Sequence, residues 1–405
     1  MLSDRFRWVI CQLDALRRCF PSSIHKTLDE LPTTLDETYE RMLEGIPKQK
    51  RSHAHRLFQC LLAAIRPLRV EELAEIFAID FGPDAAPNLM EGWRPKNAEE
   101  AVLSACSTLI SIIDSKGLKI VQFSHFSVKE FLTSDRLQMS QIGGVCQYHI
   151  PLDAAHTVLA RACLTVLLQL DEVIDKMRVA MLPLVFYAAK HWVDHAKYED
   201  VASRVRGTME ELFNPKRPYL AGWVWIREGD QTTFDALAER PRPLLTTALH
   251  HAVSCGFSGL VNYLIVVHGE DIEAKSHVTT LLGVASNKGQ LDIVDVLLNH
   301  GAEINSGDDT GWSSLFWASI GGHANVVQFL LERGAEVNAR TSYLKLTPLS
   351  VASEQGYLEV VRILLAHGAD VQVRGSGGRT ALQVARSNGY EGVAQLLLEH
   401  GAVEK

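Results

Sequence analysis

Apolar side chains in the first half of the chain recur at steps of three and four residues, the spacing of one face of an α-helix. Phe6, Val9, Ile10, Leu13 and Leu16 make one such stripe, halted by Pro21. Leu35, Tyr39, Met42, Leu43 and Ile46 make a second, and Thr34-Leu35-Asp36-Glu37 at its start has the pattern of a reciprocal helix cap. Leu57, Phe58, Leu61, Leu62 and Ile65 form a third, ended by Pro67, and Leu73, Ile76 and Phe77 a fourth. A Pro- and Gly-rich loop (82–95) and a helix near 98–108 follow. Leu109 to Asp114 and Leu118 to Phe123 then read as strands around Ser115-Lys116-Gly117, and Ser127-Val128-Lys129-Glu130 caps another helix.

Three helices, a hairpin and a closing helix over residues 51–135 are the layout of a winged helix. Beyond it, Val158, Leu159, Ala162, Cys163, Val166 and Leu167 form a broad apolar helical face, and Pro241-Arg242-Pro243 marks a hand-over to a different organisation. There an Ala-x-x-x-Gly element returns at Ala252/Gly256, Ala285/Gly289, Ala318/Gly322, Ala352/Gly356 and Ala385/Gly389, in steps of 33, 33, 34 and 33 residues. Thr247-Ala248-Leu249-His250, Thr347-Pro348-Leu349 and Thr380-Ala381-Leu382 open the first helix of their units. His300-Gly301-Ala302, Arg333-Gly334-Ala335, His367-Gly368-Ala369 and His400-Gly401-Ala402 close the second.

These motifs strongly resemble ankyrin repeats over residues 242–405. No single unit can bury its own apolar face, so the units must stack into a solenoid. The Gly after Arg333 suits the left-handed backbone that ends a helix, and the His before the other closing Gly residues suits a helix C-terminus. The fourth unit carries one extra residue in Thr341-Ser342-Tyr343-Leu344-Lys345-Leu346 and lacks a hairpin Gly. The first has an irregular second-helix end, Val266-Val267-His268-Gly269.

In the front half, Phe6-Arg7-Trp8 with Cys11-Gln12-Leu13-Asp14, Leu31-Pro32 with Leu35-Asp36-Glu37-Thr38-Tyr39, Arg66-Pro67-Leu68 with Glu71-Glu72-Leu73, and His125-Phe126-Ser127-Val128-Lys129-Glu130-Phe131-Leu132 resemble the segment after the NTPase core of fungal NACHT-type, NLR-like receptors that end in ankyrin repeats. Ala154-Ala155-His156, Tyr187-Ala188-Ala189-Lys190-His191-Trp192 and Tyr198-Glu199 are similar to the helical connector of that family. The expected fold is mainly α: a helical segment (1–50), a winged-helix-like domain (51–135), a helical connector (136–241) and an ankyrin-repeat solenoid of five repeats (242–405).

Composition narrows the function classes. Forty basic against forty-eight acidic residues give a net charge of -8, unfavourable to nucleic acid and anionic lipid, and no local patch that reverses the sign stands out. The amino terminus is charged where a signal peptide needs an apolar core, and no stretch reaches the roughly 18 apolar residues of a membrane span. A soluble, cytoplasmic chain with no membrane insertion is expected. Seven scattered cysteines without a Cys-x-x-Cys pair read as reduced thiols.

Candidate chemistry is sparse. No Gly-Lys dipeptide occurs, so the phosphate loop of an NTPase is missing, and the resemblance begins downstream of that loop. The chain would then be a carboxy-terminal part, a separate exon product or a truncated reading of the gene. Gly256-Phe257-Ser258-Gly259 has the wrong spacing for a hydrolase elbow and joins two repeat helices. His191 with His195, and His53-Ala54-His55 with Cys60, are incomplete as metal sites and read as partly exposed surface residues. His250-His251 opens a repeat helix, where this His is expected to hydrogen-bond within the array. The helix that would enter a DNA groove, Val70 to Phe77, carries three Glu and no basic residue, so the wing module reads as a packing element between domains.

A non-enzymatic recognition module is therefore expected, without cofactor, metal or nucleic acid and with a protein partner on the repeats. The alternatives are a free-standing ankyrin adaptor or an unrecognised hydrolase. The resemblance implies binding through hairpin tips and first-helix ends: Ser276, His277, Thr279, Asn287 and Lys288 in the second unit, Asp309, Thr310, Trp312, Ile320 and Arg333 in the third, Tyr343 and Lys345 in the fourth, and Arg379 in the fifth. Trp312 is the expected energetic centre if its indole stands free, and a packing residue if it folds back on Phe316 or Trp317.

Overall fold

A computed structural model of the chain describes residues 34–82, 87–140, 142, 144–170, 175–228, 244, 246–275 and 279–403. The stripe from Phe6 to Leu16, Leu31-Pro32, part of the 82–95 loop and Pro241-Arg242-Pro243 lie outside the described residues. The chain divides into two compact units, residues 1–212 with 217–242 and residues 213–216 with 243–405.

In the first unit, Thr34 caps the helix Leu35–Glu44, its hydroxyl accepting from the Glu37 amide. Tyr39 of that helix lies 5.4 Å from the Phe131 ring and shares a hydrogen bond with the Ser127 hydroxyl at 2.8 Å. Helices Arg51–Ala63, Val70–Phe77 and Ala98–Ala105 surround a three-stranded antiparallel sheet in the order β1 (Leu68–Arg69), β5 (Leu118–Phe123), β4 (Ile110–Ser115). β2 (Ile79–Asp80) and β3 (Asn88–Leu89) form a separate ribbon between the second and third helices. The β4–β5 hairpin turns at Lys116-Gly117, both in the left-handed region (φ 54° and 81°), the turn whose twist matches paired strands.

Two local expectations need correction. Ile65 is exposed rather than part of the third stripe, because the helix ends at Ala63. The helix Phe126–Leu132 is capped by His125, whose Nδ1 accepts from the Ser127 amide; Ser127 itself is buried inside the helix and donates to that same Nδ1 at 2.6 Å.

The helices Leu152–Leu167, Val185–Ala196 and Tyr219–Glu228 pack on one another in the rest of the first unit. Trp192 and Trp223 meet edge to face at 5.5 Å, and the Trp223 indole donates to the Ala189 carbonyl at 2.9 Å. Cys60 and Cys163 are fully buried free thiols, and burial pushes the Cys60 thiol up to about 12.

His195 corrects the surface reading of the His191/His195 pair: it is fully buried, and His191 nearly so. The Ile65 amide donates to the Tyr187 hydroxyl at 3.2 Å, that hydroxyl shares a hydrogen bond with His195 Nε2 at 2.9 Å, and His195 Nδ1 shares one with His156 Nδ1 at 2.9 Å. A buried imidazole already committed on both nitrogens takes an extra proton poorly, and desolvation lowers its pKa to about 3. Because the folded chain holds fewer protons here than the unfolded one, the stability from neutral His195 is present above about pH 6.5 and lost as pH falls toward 3. Between pH 6.5 and 5 the expected loss is about 2 kcal/mol, and urea unfolding should show it shrink in His195→Gln.

In the second unit, the first helices Ala248–Cys255, Leu281–Asn287, Ser314–Ile320, Pro348–Gln355 and Ala381–Ser387 stack on one another. So do the second helices Ser258–His268, Leu291–Asn299, Ala324–Glu332, Leu358–Ala366 and Glu391–Glu399. Each first helix opens on a hydroxyl cap, at Thr247, Thr280, Ser313, Thr347 and Thr380. His367 and His400 cap their own helices through Nδ1 to carbonyls four residues back, each at 2.9 Å, while His300 reaches the preceding repeat at Asn262. Gly334 after Arg333 has the expected left-handed backbone (φ 92°). In the first repeat the second helix runs on to His268, leaving Val266 and Val267 exposed. His250 bonds to the Thr247 hydroxyl at 3.0 Å within its own repeat.

Candidate protein-interaction surface

The side chain that builds the third hairpin is Asp308, which the sequence pattern did not single out. It is buried; its Oδ1 accepts from the Thr310 amide (2.9 Å), the Thr310 hydroxyl (2.5 Å) and the Trp312 amide (3.0 Å), and Oδ2 from the Trp317 indole (3.3 Å). A carboxylate accepting from amides two and four residues on folds the chain into a turn of fixed shape. Asp-Asp-Thr-Gly at 308–311 was the available signal. The hairpin couples to the next repeat where the Ser342 amide donates to the Thr310 carbonyl at 3.0 Å.

Trp312 is half-buried, with its ring 4.9 Å from Phe316 and 4.6 Å from Trp317, so the folded-back arrangement is the one present. Trp312→Ala is therefore expected to cost the array about 1 kcal/mol through the lost ring contacts, measured by urea unfolding.

At the far end of the first helices, three carbonyls with no partner inside their helix are each met from the following repeat. Lys288 Nζ reaches Ser254 O (2.9 Å), His323 Nε2 Asn287 O (2.8 Å) and Asn388 Nδ2 Glu354 O (2.9 Å). Between repeats, Asn305 and Asn338 accept from the amides of Glu336 and Asp370, each at 2.9 Å. This ladder fixes the register of the face.

Asn287 and Lys288 are exposed on that face, Ile320 is half-buried at the end of its helix, and Thr279 is half-buried beside the Thr280 cap. Asp309 is exposed at the hairpin tip, 3.8 Å from Lys275 Nζ, and Thr310 is tied to Asp308. Ser276 and His277 lie outside the described residues. Arg333 belongs elsewhere: it follows a second helix, so its guanidinium pairs with Asp295 (2.8 Å) and covers the Phe329 ring on the second-helix side.

In the fourth repeat the extra residue is absorbed by a loop closed between Thr341 and Leu346, with the Thr341 amide donating to the Leu346 carbonyl at 3.0 Å and the Leu346 amide to the Thr341 hydroxyl at 3.0 Å. Lys345 takes the left-handed backbone (φ 51°) that glycine would supply. The tip is left in solvent, Tyr343 84% and Leu344 51% exposed. Beside it a groove of about 180 Å³ is lined by Leu344, Leu346, Ser350, Glu354, Gly375, Arg379 and Val384.

Elsewhere, helix Val70–Phe77 is buried together with two of its three carboxylates, Glu72 and Glu75, while Glu71 is exposed. Glu72 takes both Arg66 nitrogens (2.8 and 2.6 Å) and the Arg69 amide, and Arg66 lies over the Tyr187 ring. His53 edges onto Phe77 at 5.5 Å, and among the described residues no group of three His, Cys, Asp or Glu is placed to hold a metal. Among the described residues, too, no helix is long and apolar enough to cross a membrane.

Residues 249–341 and 340–404 each match a family described as ankyrin repeats (3 copies). Residues 39–142 match the winged helix domain of GPI inositol-deacylase. The protein is thus a mostly helical chain carrying a winged helix domain of that type and ankyrin repeats. It is 28% identical over 295 residues to the azaphilone pigments biosynthesis cluster protein L of Monascus ruber, a match spanning 68% of this chain and 61% of that relative.

Proposed function

We propose that this chain is the non-enzymatic sensor part of a fungal, cytoplasmic NLR-like receptor. Its ankyrin repeats bind a protein partner, and the winged-helix region (51–135) and connector (136–241) couple that event to an NTPase core. The five-repeat array (242–405) is the recognition element. The observation that carries this reading is the ladder-fixed hairpin face with Tyr343 and Leu344 held in solvent, since a rigid surface presenting apolar tips is suited to protein contact.

Coupling is supported by the buried carboxylates: Glu72 reaches the connector through Arg66 and Tyr187, and Glu75 through the Leu184 amide. The nearest approach to a nucleophile and base, Ser127 with His125, is occupied as a helix cap beneath Tyr39. A second reading, a free-standing ankyrin adaptor, draws support from the Monascus ruber relative, whose name ties it to a pigment biosynthesis cluster.

The test is photo-crosslinking in cells from position 343 and, as a control on the second helices, from position 362. A discrete protein adduct from 343 and none from 362 is expected; adducts from neither, or from 362 alone, count against the proposal. Because the sequence lacks a phosphate loop, calorimetry of the purified chain with MgATP should show no saturable binding. A dissociation constant of about micromolar order would contradict that.

A further inference from the structure

We propose that the hairpin face of the fourth and fifth repeats accepts an acidic peptide segment carrying an apolar anchor. This rests on the recognition reading above and adds the chemistry of the partner. The chain as a whole is anionic, yet residues 339–353 and 371–390 contain no Asp or Glu. They supply Arg340 and Lys345 from the fourth repeat and Arg374 and Arg379 from the fifth, all exposed.

The fold gathers these cations. Closure of the loop between Thr341 and Leu346 brings Arg340 and Lys345 to its two ends. The Arg374–Thr380 bridge and the Gly375 amide, which donates to the Arg379 carbonyl at 3.0 Å, hold the backbone at Arg374 and Arg379 in one hairpin, and a Cβ on Gly375 would lie 3.0 Å from Leu346, so the fifth hairpin rests on the fourth loop. Among the described residues none of the four is in an ion pair, whereas Arg333 and Arg362 on the second helices are. Of the acidic residues of these two repeats, Glu359, Glu391 and Glu399 fall on the second helices, while Glu354 lies near the end of the fourth repeat's first helix and Asp370 in the loop that follows its second.

Unpaired like charges repel one another and gain from an anionic partner, which they also steer toward the site. The groove beside them, about 180 Å³, is smaller than the roughly 300 to 1,000 Å³ of small-molecule sites and suits a single side chain. Leu344, Leu346 and Val384 supply its apolar part, and Ser350, Arg379 and its one carboxylate, Glu354, its polar part. Exposed Tyr343 adds a second apolar contact. A nucleic acid would use the cations but leave this groove unfilled, so a peptide is the better match.

The experiment pans a random peptide-display library against the immobilised full chain and measures selected peptides by fluorescence anisotropy. Peptides combining Asp/Glu with Leu or an aromatic residue should be enriched, and should bind more weakly at 300 than at 50 mM NaCl, at about the order expected for screened charge pairs. Arg340→Glu with Arg379→Glu should weaken them at least about tenfold, equal to about 1.4 kcal/mol, with the urea midpoint unchanged. Lys345 is left intact because of its left-handed backbone.

Enrichment of neutral or basic peptides, or equal binding of acidic ones to the double variant, would overturn the proposal. So would a random single-stranded 20-mer that displaces the peptides and loses affinity in the double variant. Selected peptides of other chemistry that crosslink from position 343 would sink the acidic assignment but leave the recognition reading standing. If no selected peptide maps to the hairpin face, the recognition reading itself fails.

Discussion

Replacing Glu75 with alanine is expected to cost the first unit about 3 kcal/mol, at the lower end of what breaking a buried ion pair costs. Glu75 is 2% exposed; Oε1 accepts from Arg94 at 2.7 Å and Oε2 from the Leu184 amide at 2.6 Å. Burial raises its pKa, while the Leu184 amide and Arg94 oppose that shift and hold the charge in place. Alanine leaves the Leu184 amide without its acceptor and strands Arg94, whose buried Nε has no partner among the described residues. The lower end applies because the Arg94 side chain is 28% exposed and recovers some hydration. Glu75→Gln keeps an oxygen for Leu184 and should lose less than half as much. Urea unfolding gives the totals; an alanine cost below about 1 kcal/mol would mean the pair adds little beyond an apolar substitute.

Gly322→Val is expected to destabilise the array by about 2 to 3 kcal/mol, because the φ of 72° at this turn is strained for any β-branched residue. A valine Cβ would also lie 2.9 Å from the Tyr357 ring of the next repeat, which must swing outward. The same stacking recurs where His323 covers Gly289 and Tyr390 covers Gly356, so the turn glycines serve the repeat junctions as well as their own turns. Each unit contacts only its neighbours, so the damage should spread through repeats two to four and leave residues 51–135 protected in hydrogen exchange. Unchanged protection in those repeats would contradict the stacking account. Gly322→Asn, which tolerates the left-handed region better, should cost less.

The repeats were legible because every unit restates the same landmarks, so the 33-residue step carried the fold even where one loop gained a residue. The winged helix was legible in its helices and in the β4–β5 hairpin. Strands β1, β2 and β3 have two residues each, too short for alternation to register. Burial of polar groups was the larger blind spot: Glu72, Glu75 and His195 look like surface residues in sequence, and only their partners make them core, Arg66 and Tyr187 for Glu72 and His195, and for Glu75 the more distant Arg94 and Leu184. On the candidate face, Trp312 could be placed at the hairpin but not oriented, because Phe316 and Trp317 compete with a partner for its ring. Arg333 was placed on that face though it closes a second helix. The basic surface escaped notice because its cations are interleaved with neutral residues in two repeats and cluster only when the hairpins stack.

The most direct test of the central claim is hydrogen exchange of the full chain with and without the protein captured from position 343. Added protection is expected at 308–312, 341–346 and 374–380, with the second helices Ala324–Glu332 and Leu358–Ala366 unchanged. Protection confined to those second helices, or to residues 51–135, would show that the partner does not read the hairpin face.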